Sequence, residues 1–234
     1  MSFVKDLFTP SSTDKGRRHF LVAFFVGIIA GIVSAFVKWG AEHPFPPRSG
    51  VDTGWTSDAV CKALNWSAEN TPSEAYAALP ELFNSAEKIG AAGFDCQRAF
   101  LNPPYIFLRK FMDIQDPYAP FFSFADSSFH WIGVTHMIFS LCFAIAYCIW
   151  VEIFPKFKMW QGIFAALVAD VCVHYITFPA LGLAPMPWEW PLFEHISELV
   201  GHMFWFWTIE VIRRDLRNRI TGEPDAEIPI TANR

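Results

Sequence analysis

Charge is scarce in this sequence. Only 18% of its 234 residues are Asp, Glu, Lys or Arg, where a soluble domain carries about 25%. An ordinary soluble enzyme is a poor fit to that figure. Basic excess is missing as well: 18 Lys and Arg stand against 23 Asp and Glu, a formal charge of −5. A nucleic-acid binder would show a basic footprint, and none is present. The common catalytic signatures are also absent. There is no Walker loop, no Gly-rich dinucleotide fingerprint, no Gly-x-Ser-x-Gly elbow and no His-Glu-x-x-His pair. No internal repeat is visible. Accordingly no catalytic residue is assigned, the balance is against an enzyme without closing the question, and no cofactor is called for apart from the transition metal considered below.

Apolar and aromatic mass is what the chain has in abundance. Hydrophobic residues make up 53% of it, with 10 Trp and 25 Phe. That mass falls into four runs. Phe20–Val37 holds 18 residues without a formal charge and would cover about 27 Å, close to the hydrocarbon thickness of a bilayer. It is too long for the apolar core of a cleaved signal peptide, and no clear cleavage site follows it. Phe129–Val151 carries two His and no formal charge, and Met159–Phe178 carries one acid, Asp170. The fourth, Ile196–Ile212, contains Glu198, His202 and Glu210 around the apolar centre Met203–Trp207.

The spacing predicts an all-α polytopic membrane protein: four transmembrane helices, with a small helical periplasmic domain inserted between helices one and two. Lys and Arg cluster in the N-terminal tail, the 152–158 turn and the C-terminal tail, whereas the 179–195 loop has none. By the positive-inside rule these segments are cytoplasmic. The expected order is a cytoplasmic tail (1–19), spans at 20–39, 129–151, 159–178 and 196–212, a periplasmic cap (40–128), a periplasmic loop (179–195) and a cytoplasmic tail (213–234). In a bacterium this is an inner-membrane topology with both termini inside.

The 40–128 insert has helical signals. Thr71-Pro-Ser-Glu74 reads as a capping box, and Pro80–Ile89 ends at Gly90. Cys61 and Cys96 lie in this insert, where an oxidising compartment would allow them to pair. Cys142, Cys148 and Cys172 fall inside spans and read as small packing residues.

Several segments carry a family resemblance. They are Val33-Ser-Ala-Phe-Val-Lys-Trp-Gly-Ala-Glu42, Pro103-Pro-Tyr-Ile-Phe-Leu-Arg109, Trp131-Ile-Gly-Val-Thr-His136 and Gly201–Arg219, together with the final Glu-Pro-Asp stretch. Over almost its whole length the chain resembles the YagU family of bacterial inner-membrane proteins. The resemblance implies a multi-pass protein of the Gram-negative inner membrane. It supplies neither a reaction nor catalytic residues.

Ionisable groups inside a bilayer are costly and tend to mark function. Counting 1.5 Å per residue from each span's midpoint puts Asp170 and His202 about 2 Å outward, His136 about 6 Å, and His174 and Glu198 about 8 Å. Asp170 and His174 are i,i+4 on one helix face, as are Glu198 and His202, with Glu194 one turn further out. Antiparallel packing of spans three and four would set His174 beside Glu198 and Asp170 beside His202. His136 would complete the group from span two.

Three readings compete for this cluster. His136, Asp170, His174, Glu194, Glu198 and His202 could bind or relay protons, because His titrates near neutral pH. The same types in His136, Asp170, His174, Glu198 and His202 suit a bound transition metal. Or the groups form buried pairs that only fix helix register. The leading expectation is envelope homeostasis through a periplasm-facing His/carboxylate cluster, in acid tolerance or proton handling. The alternatives are a non-catalytic scaffold that binds a protein partner and, third, a metal-dependent membrane enzyme.

Two further features bear on partners. Ala23, Gly27, Gly31 and Ala35 form a small-residue ladder that packs inside the bundle or against a second copy or another protein; the periplasmic cap is the other surface for a partner. Glu210 with Arg213 and Arg214 reads as a helix-end ion pair. Arg213, Arg214, Arg217 and Arg219 are placed to meet anionic lipid headgroups.

Overall fold

In the computed structural model, residues 2–10, 17–42, 103–114, 117, 119–124, 127–184, 186–190 and 192–225 are described. The Cys61–Cys96 pairing, the Thr71 capping box and the helix expected at Pro80–Ile89 lie outside them. Helix α1 spans Ser2–Leu7, α2 Phe20–Glu42 and α3 Pro103–Met112. Strands β1 (Pro120–Phe124) and β2 (Ser127–His130) follow, then α4 (Trp131–Ile153) and a 3-10 turn at Pro155–Lys158. Next come α5 (Ile163–Asp170), a π-wound stretch (Val171–Thr177), α6 (Phe178–Leu181) and finally α7 (Leu192–Thr221).

Three of the described helical stretches are long and apolar enough to cross a membrane: Phe20–Ala41, Trp131–Ile153 and Ile163–Leu181. α7 is long, at 30 residues, but it is too rich in ionisable groups to qualify by composition. Their placement is informative: Glu194, Glu198, His202, Glu210, Arg213 and Arg217 are buried, while Ile196, Phe204, Trp207 and Ile220 are exposed. The inward face of the helix thus holds ionisable groups beside the buried Trp205, Phe206 and Ile209, and between Ile196 and Trp207 its outward face is apolar.

A purely helical chain is not what the structure contains. β1 and β2 pair antiparallel, with Phe122 opposite Phe129 and Phe124 opposite Ser127, and an irregularity between Pro120 and Phe122. Phe-rich, Ser-spaced sequence suits a strand, and the segment is too short to show a helical period. Because Phe129 and His130 belong to β2, helical winding of α4 starts at Trp131. Helical winding after the 155–158 turn likewise starts only at Ile163. Trp160, Gln161 and Gly162 all hold positive φ, at 53°, 55° and 87°, a left-handed conformation that stops a right-handed helix. A Cβ on Gly162 would sit 2.8 Å from the Phe206 carbonyl oxygen, so both space and φ require glycine here.

The chain forms two compact units. The first comprises Met1–Pro44, Met137–Ala169 and Leu199–Arg234; the second comprises Phe45–His136 and Asp170–Glu198. The core of the first unit is Ala23 and Ala30 from α2, Ala144, Tyr147, Cys148 and Val151 from α4, Ala165, Ala166 and Ala169 from α5, and Trp205, Phe206 and Ile209 from α7. Small residues bring α2 and α4 together. A Cβ on Gly27 would lie 2.7 Å from the Ile145 Cα, and one on Gly31 would lie 2.8 Å from the Leu141 Cα. The Ala23/Gly27/Gly31/Ala35 ladder is therefore covered by α4 of the same chain. The contact is sealed by polar atoms: Ser140 donates to the Gly31 carbonyl at 2.9 Å and accepts from Trp205 Nε1 at 2.8 Å.

In the second unit, the hairpin rests on aromatic contacts, Phe121 with Trp131 and Phe122 with Phe129. Lys110, at the end of α3, donates to the Leu181 carbonyl at 3.0 Å. The π-wound stretch has a local cause. Phe178 N–H donates to Val173 O, five residues back, and Pro179 follows with no N–H to give. Thr177 Oγ1 adds a bond to the Cys172 carbonyl at 2.7 Å. Such π turns are enriched at functional positions.

Candidate functional site: two buried charge groups

The second unit holds the first group. His174 Nε2 lies 3.2 Å from Glu198 Oε2, both side chains are almost fully buried, and the pair links the π-wound stretch to α7. Asp170 precedes His174 by one turn, and Glu194 precedes Glu198 by one turn. Both are buried. His136 is half-buried in this same unit, at the start of α4. His202 is buried in the first unit, edge-on to Trp205 with ring centroids 5.5 Å apart. Thr135, a hydroxyl near His136, turns back to the Trp131 carbonyl at 2.9 Å. Ser140 is committed to Gly31 and Trp205, as above.

Two residues of this region were not singled out by spacing. The Tyr175 hydroxyl shares a hydrogen bond with His195 Nδ1. Trp190 packs on both rings, and its own centroid is 6.0 Å from that of His174. His195 belongs to α7, which starts at Leu192, earlier than its apolar run suggests. Pro191, immediately before it, is the start signal that marks this.

The first unit holds the second group, built on arginine. Arg213 donates to Glu210 from Nε at 2.6 Å and from Nη2 at 2.9 Å. Arg217 donates to Glu152, near the end of α4, from Nε at 2.7 Å and from Nη2 at 3.3 Å. Tyr147 donates to Glu210 at 3.0 Å, one helical face deeper along α4. Asp225, beyond the end of α7, accepts from Arg213 and, at 2.7 Å, from Lys158 of the 155–158 turn. Arg217 Nη1 also donates to the Glu223 and Pro224 carbonyls, and its Nη2 to the Arg17 carbonyl. His19 N–H donates to Glu152 Oε2 at 3.2 Å. Five chain segments thus meet on one set of charges.

Its electrostatics follow from burial and pairing. Burial pushes the Asp225 carboxyl up, but Arg213 and then Lys158 outweigh that and hold it at about 2. Burial pulls Lys158 below the usual lysine value, and Asp225 offsets this only in part. Glu223, at the surface, is lowered by its hydrogen bond from His19. Of the four arginines placed for lipid, Arg213 and Arg217 are buried in this network, and Arg214 and Arg219 are exposed. Glu152, Lys158, Tyr147 and Asp225 carried no recognisable motif. The nearest signals were the Glu-Pro-Asp stretch and the basic residues of the 155–158 turn.

Known proteins give this chain relatives but no chemistry. A family model described as "Protein of unknown function (DUF1440)" matches residues 32–211. The chain is 50% identical to the inner membrane protein YagU of Escherichia coli (strain K12) over 223 residues, which cover 95% of this chain and 97% of that protein. No solved structure matches.

Proposed function

Because the chain belongs to the DUF1440 family, whose function is unknown, we propose a role from its own chemistry: a four-span inner-membrane protein whose outward His/carboxylate group takes up protons, in envelope homeostasis and acid tolerance. Three helices with the length and composition of spans support the membrane placement, as does the inner-membrane relative. α7 is the proposed fourth span. At 30 residues it is about 45 Å long, more than the hydrocarbon core, and within 196–212 it buries Glu198, His202 and Glu210 while exposing Ile196, Phe204 and Trp207. An even number of spans returns both termini to one side, and the Lys and Arg of the tails and of the 155–158 turn make that side cytoplasmic.

The single observation that carries the proton reading is the His174–Glu198 pair, 3.2 Å apart and buried. A histidine changes charge between about pH 5 and 8, which no guanidinium does. The carboxylate beside it favours the charged imidazolium, and burial opposes it. The balance of these two sets the pH at which the pair gains a proton. Asp170 and Glu194 lie one turn away on each helix and are buried. His202, one turn beyond Glu198 on α7, and His136 on α4 are the further proton-binding groups of this proposal.

The test uses isosteric neutral substitutions. His174→Gln and Glu198→Gln are expected to reduce acid survival of cells that depend on this protein, and to reduce proton uptake by the purified protein, with the yield of folded protein retained. Folded variants with unchanged survival and uptake would remove the proposal. Stoichiometric metal in the purified protein would move the same residues to a ligand role, and a co-purifying protein with unchanged uptake would favour a scaffold.

A further inference from the structure

Asp225 is an unusual member of the arginine network. Every other buried charge in it comes from a helix or from the tight turn after α4. Asp225 comes from the short tail beyond Gly222, which takes a left-handed φ of 69° to leave α7. Its carboxylate accepts from Arg213 Nη1 at 3.3 Å, from Arg213 Nη2, and from Lys158 Nζ at 2.7 Å. A guanidinium edge and an ammonium closing on one anion is the donor set that binds phosphate oxygens.

The pairing of the described charges shows what Asp225 does here. Lys158, Arg213 and Arg217 are three buried cations, and Glu152, Glu210 and Asp225 are their three carboxylates. Glu210 is engaged by Arg213 on its own helix, and Glu152 by Arg217. Among the described residues Asp225 is the carboxylate that Lys158 and Arg213 both bond, and their side chains are 9% and 1% exposed. A buried cation without a counter-charge is strongly unfavourable, so withdrawal of the tail calls for another anion. The tail is also held by Arg217 Nη1, which donates to the Glu223 and Pro224 carbonyls at 3.2 and 3.3 Å. Glu223 pairs with Arg17 at 3.5 Å and with His19 at 3.1 Å, contacts that are only partly shielded from solvent.

We propose that Lys158 and Arg213 form a phosphate-binding site and that Asp225 is its tethered occupant, a latch competing with a phosphate group from outside the chain. Asp225 brings a single negative charge, which a phosphodiester such as a phospholipid headgroup also brings. Free inorganic phosphate shares the same chemistry. The site is independent of the His174–Glu198 pair and of the proton reading.

The test is carried out on the full chain in a neutral detergent at constant ionic strength. Asp225→Asn keeps the shape of the side chain and removes its charge. Its Tm is expected to fall below that of the wild type. At least half of the loss should return on adding phosphatidylglycerol or sodium phosphate, with no return on adding phosphatidylcholine and little shift in the wild type. Adding Lys158→Gln to Asp225→Asn should abolish the return. Recovery with phosphatidylglycerol alone assigns a lipid headgroup, and recovery with phosphate alone assigns the free ion. If Asp225→Asn does not fold in detergent, it should fold in phosphatidylglycerol nanodiscs and not in phosphatidylcholine ones. No recovery with either anion, an equal shift in the wild type, or recovery that survives Lys158→Gln would overturn the proposal.

Discussion

The two buried charge groups are made from different cations, and that difference divides their roles. In the first unit the cations are Arg213, Arg217 and Lys158, matched by Glu152, Glu210 and Asp225. Guanidinium keeps its proton at every pH a cell meets, and its fork fixes carboxylates in two directions. Such a group fastens chain segments and stays charged. In the second unit the partner of Glu198 is His174, whose charge depends on pH near neutrality. An arginine in its place would make another fastening, and a histidine in place of Arg217 would loosen the first unit in base. One group is suited to holding, and the other is proposed to respond.

The largest expected effect comes from breaking the holding group. Arg217→Ala leaves Glu152 buried without its main partner and frees the Glu223 and Pro224 carbonyls. Loss of about 3–5 kcal/mol is expected, seen as failure to accumulate folded protein or a steep drop in Tm. Arg217→Lys should recover little of it, because a point charge cannot make the paired bonds. If Arg217→Ala is as stable as the wild type, the first group is not a fastening.

A smaller effect tests the turn that presents Lys158 to the network. Gly162→Ala forces a Cβ to within 2.8 Å of the Phe206 carbonyl at a φ of 87°, and about 1–3 kcal/mol of stability should be lost. Thermal unfolding measures it, and an unchanged midpoint would mean the turn relaxes freely. Smaller again is the exposed Arg219–Asp215 pair at 2.8 Å. Arg219→Ala should cost less than about 1 kcal/mol, and a larger loss would show that exposed and buried arginines are not as distinct as their surroundings suggest.

Acid should separate the two groups. The Asp225 carboxyl is held down at about 2, against an ordinary 3.8. A lowered carboxyl contributes stability above its unfolded value, and that stability is lost as pH falls through the folded value. The tail contact is therefore complete down to about pH 4 and fails only towards pH 2. With His19→Gln removing the imidazole that contacts Glu223, tryptophan fluorescence or hydrogen exchange at the end of α7 should be flat between pH 8 and 5. A transition there within that range would contradict the assignment.

How far the sequence anticipates this structure depends on how local each feature is. The apolar runs are visible because each is a continuous stretch of bilayer length, and Asp170/His174 and Glu198/His202 stand out because helical spacing aligns residues four apart. What escaped is non-local or irregular. Glu152 and Arg217 are 65 positions apart, and Lys158 and Asp225 are 67 apart, so no window contains both partners. The β1–β2 hairpin is too short to set up a period. The left-handed run Trp160–Gly162 has only one glycine to signal it. α7 shows the opposite failure: its charges made it look the weakest span, yet they are turned inward, a fact that composition cannot carry.

The central claim is that His174–Glu198 gains a proton in the range where the arginine network does not change. The most direct test is proton uptake by purified wild type and His174→Gln, titrated between pH 8 and 5 in detergent. The wild type should take up about one proton per chain more than the variant, the capacity of a single imidazole titrating near neutrality. Equal uptake by two folded proteins would contradict the account.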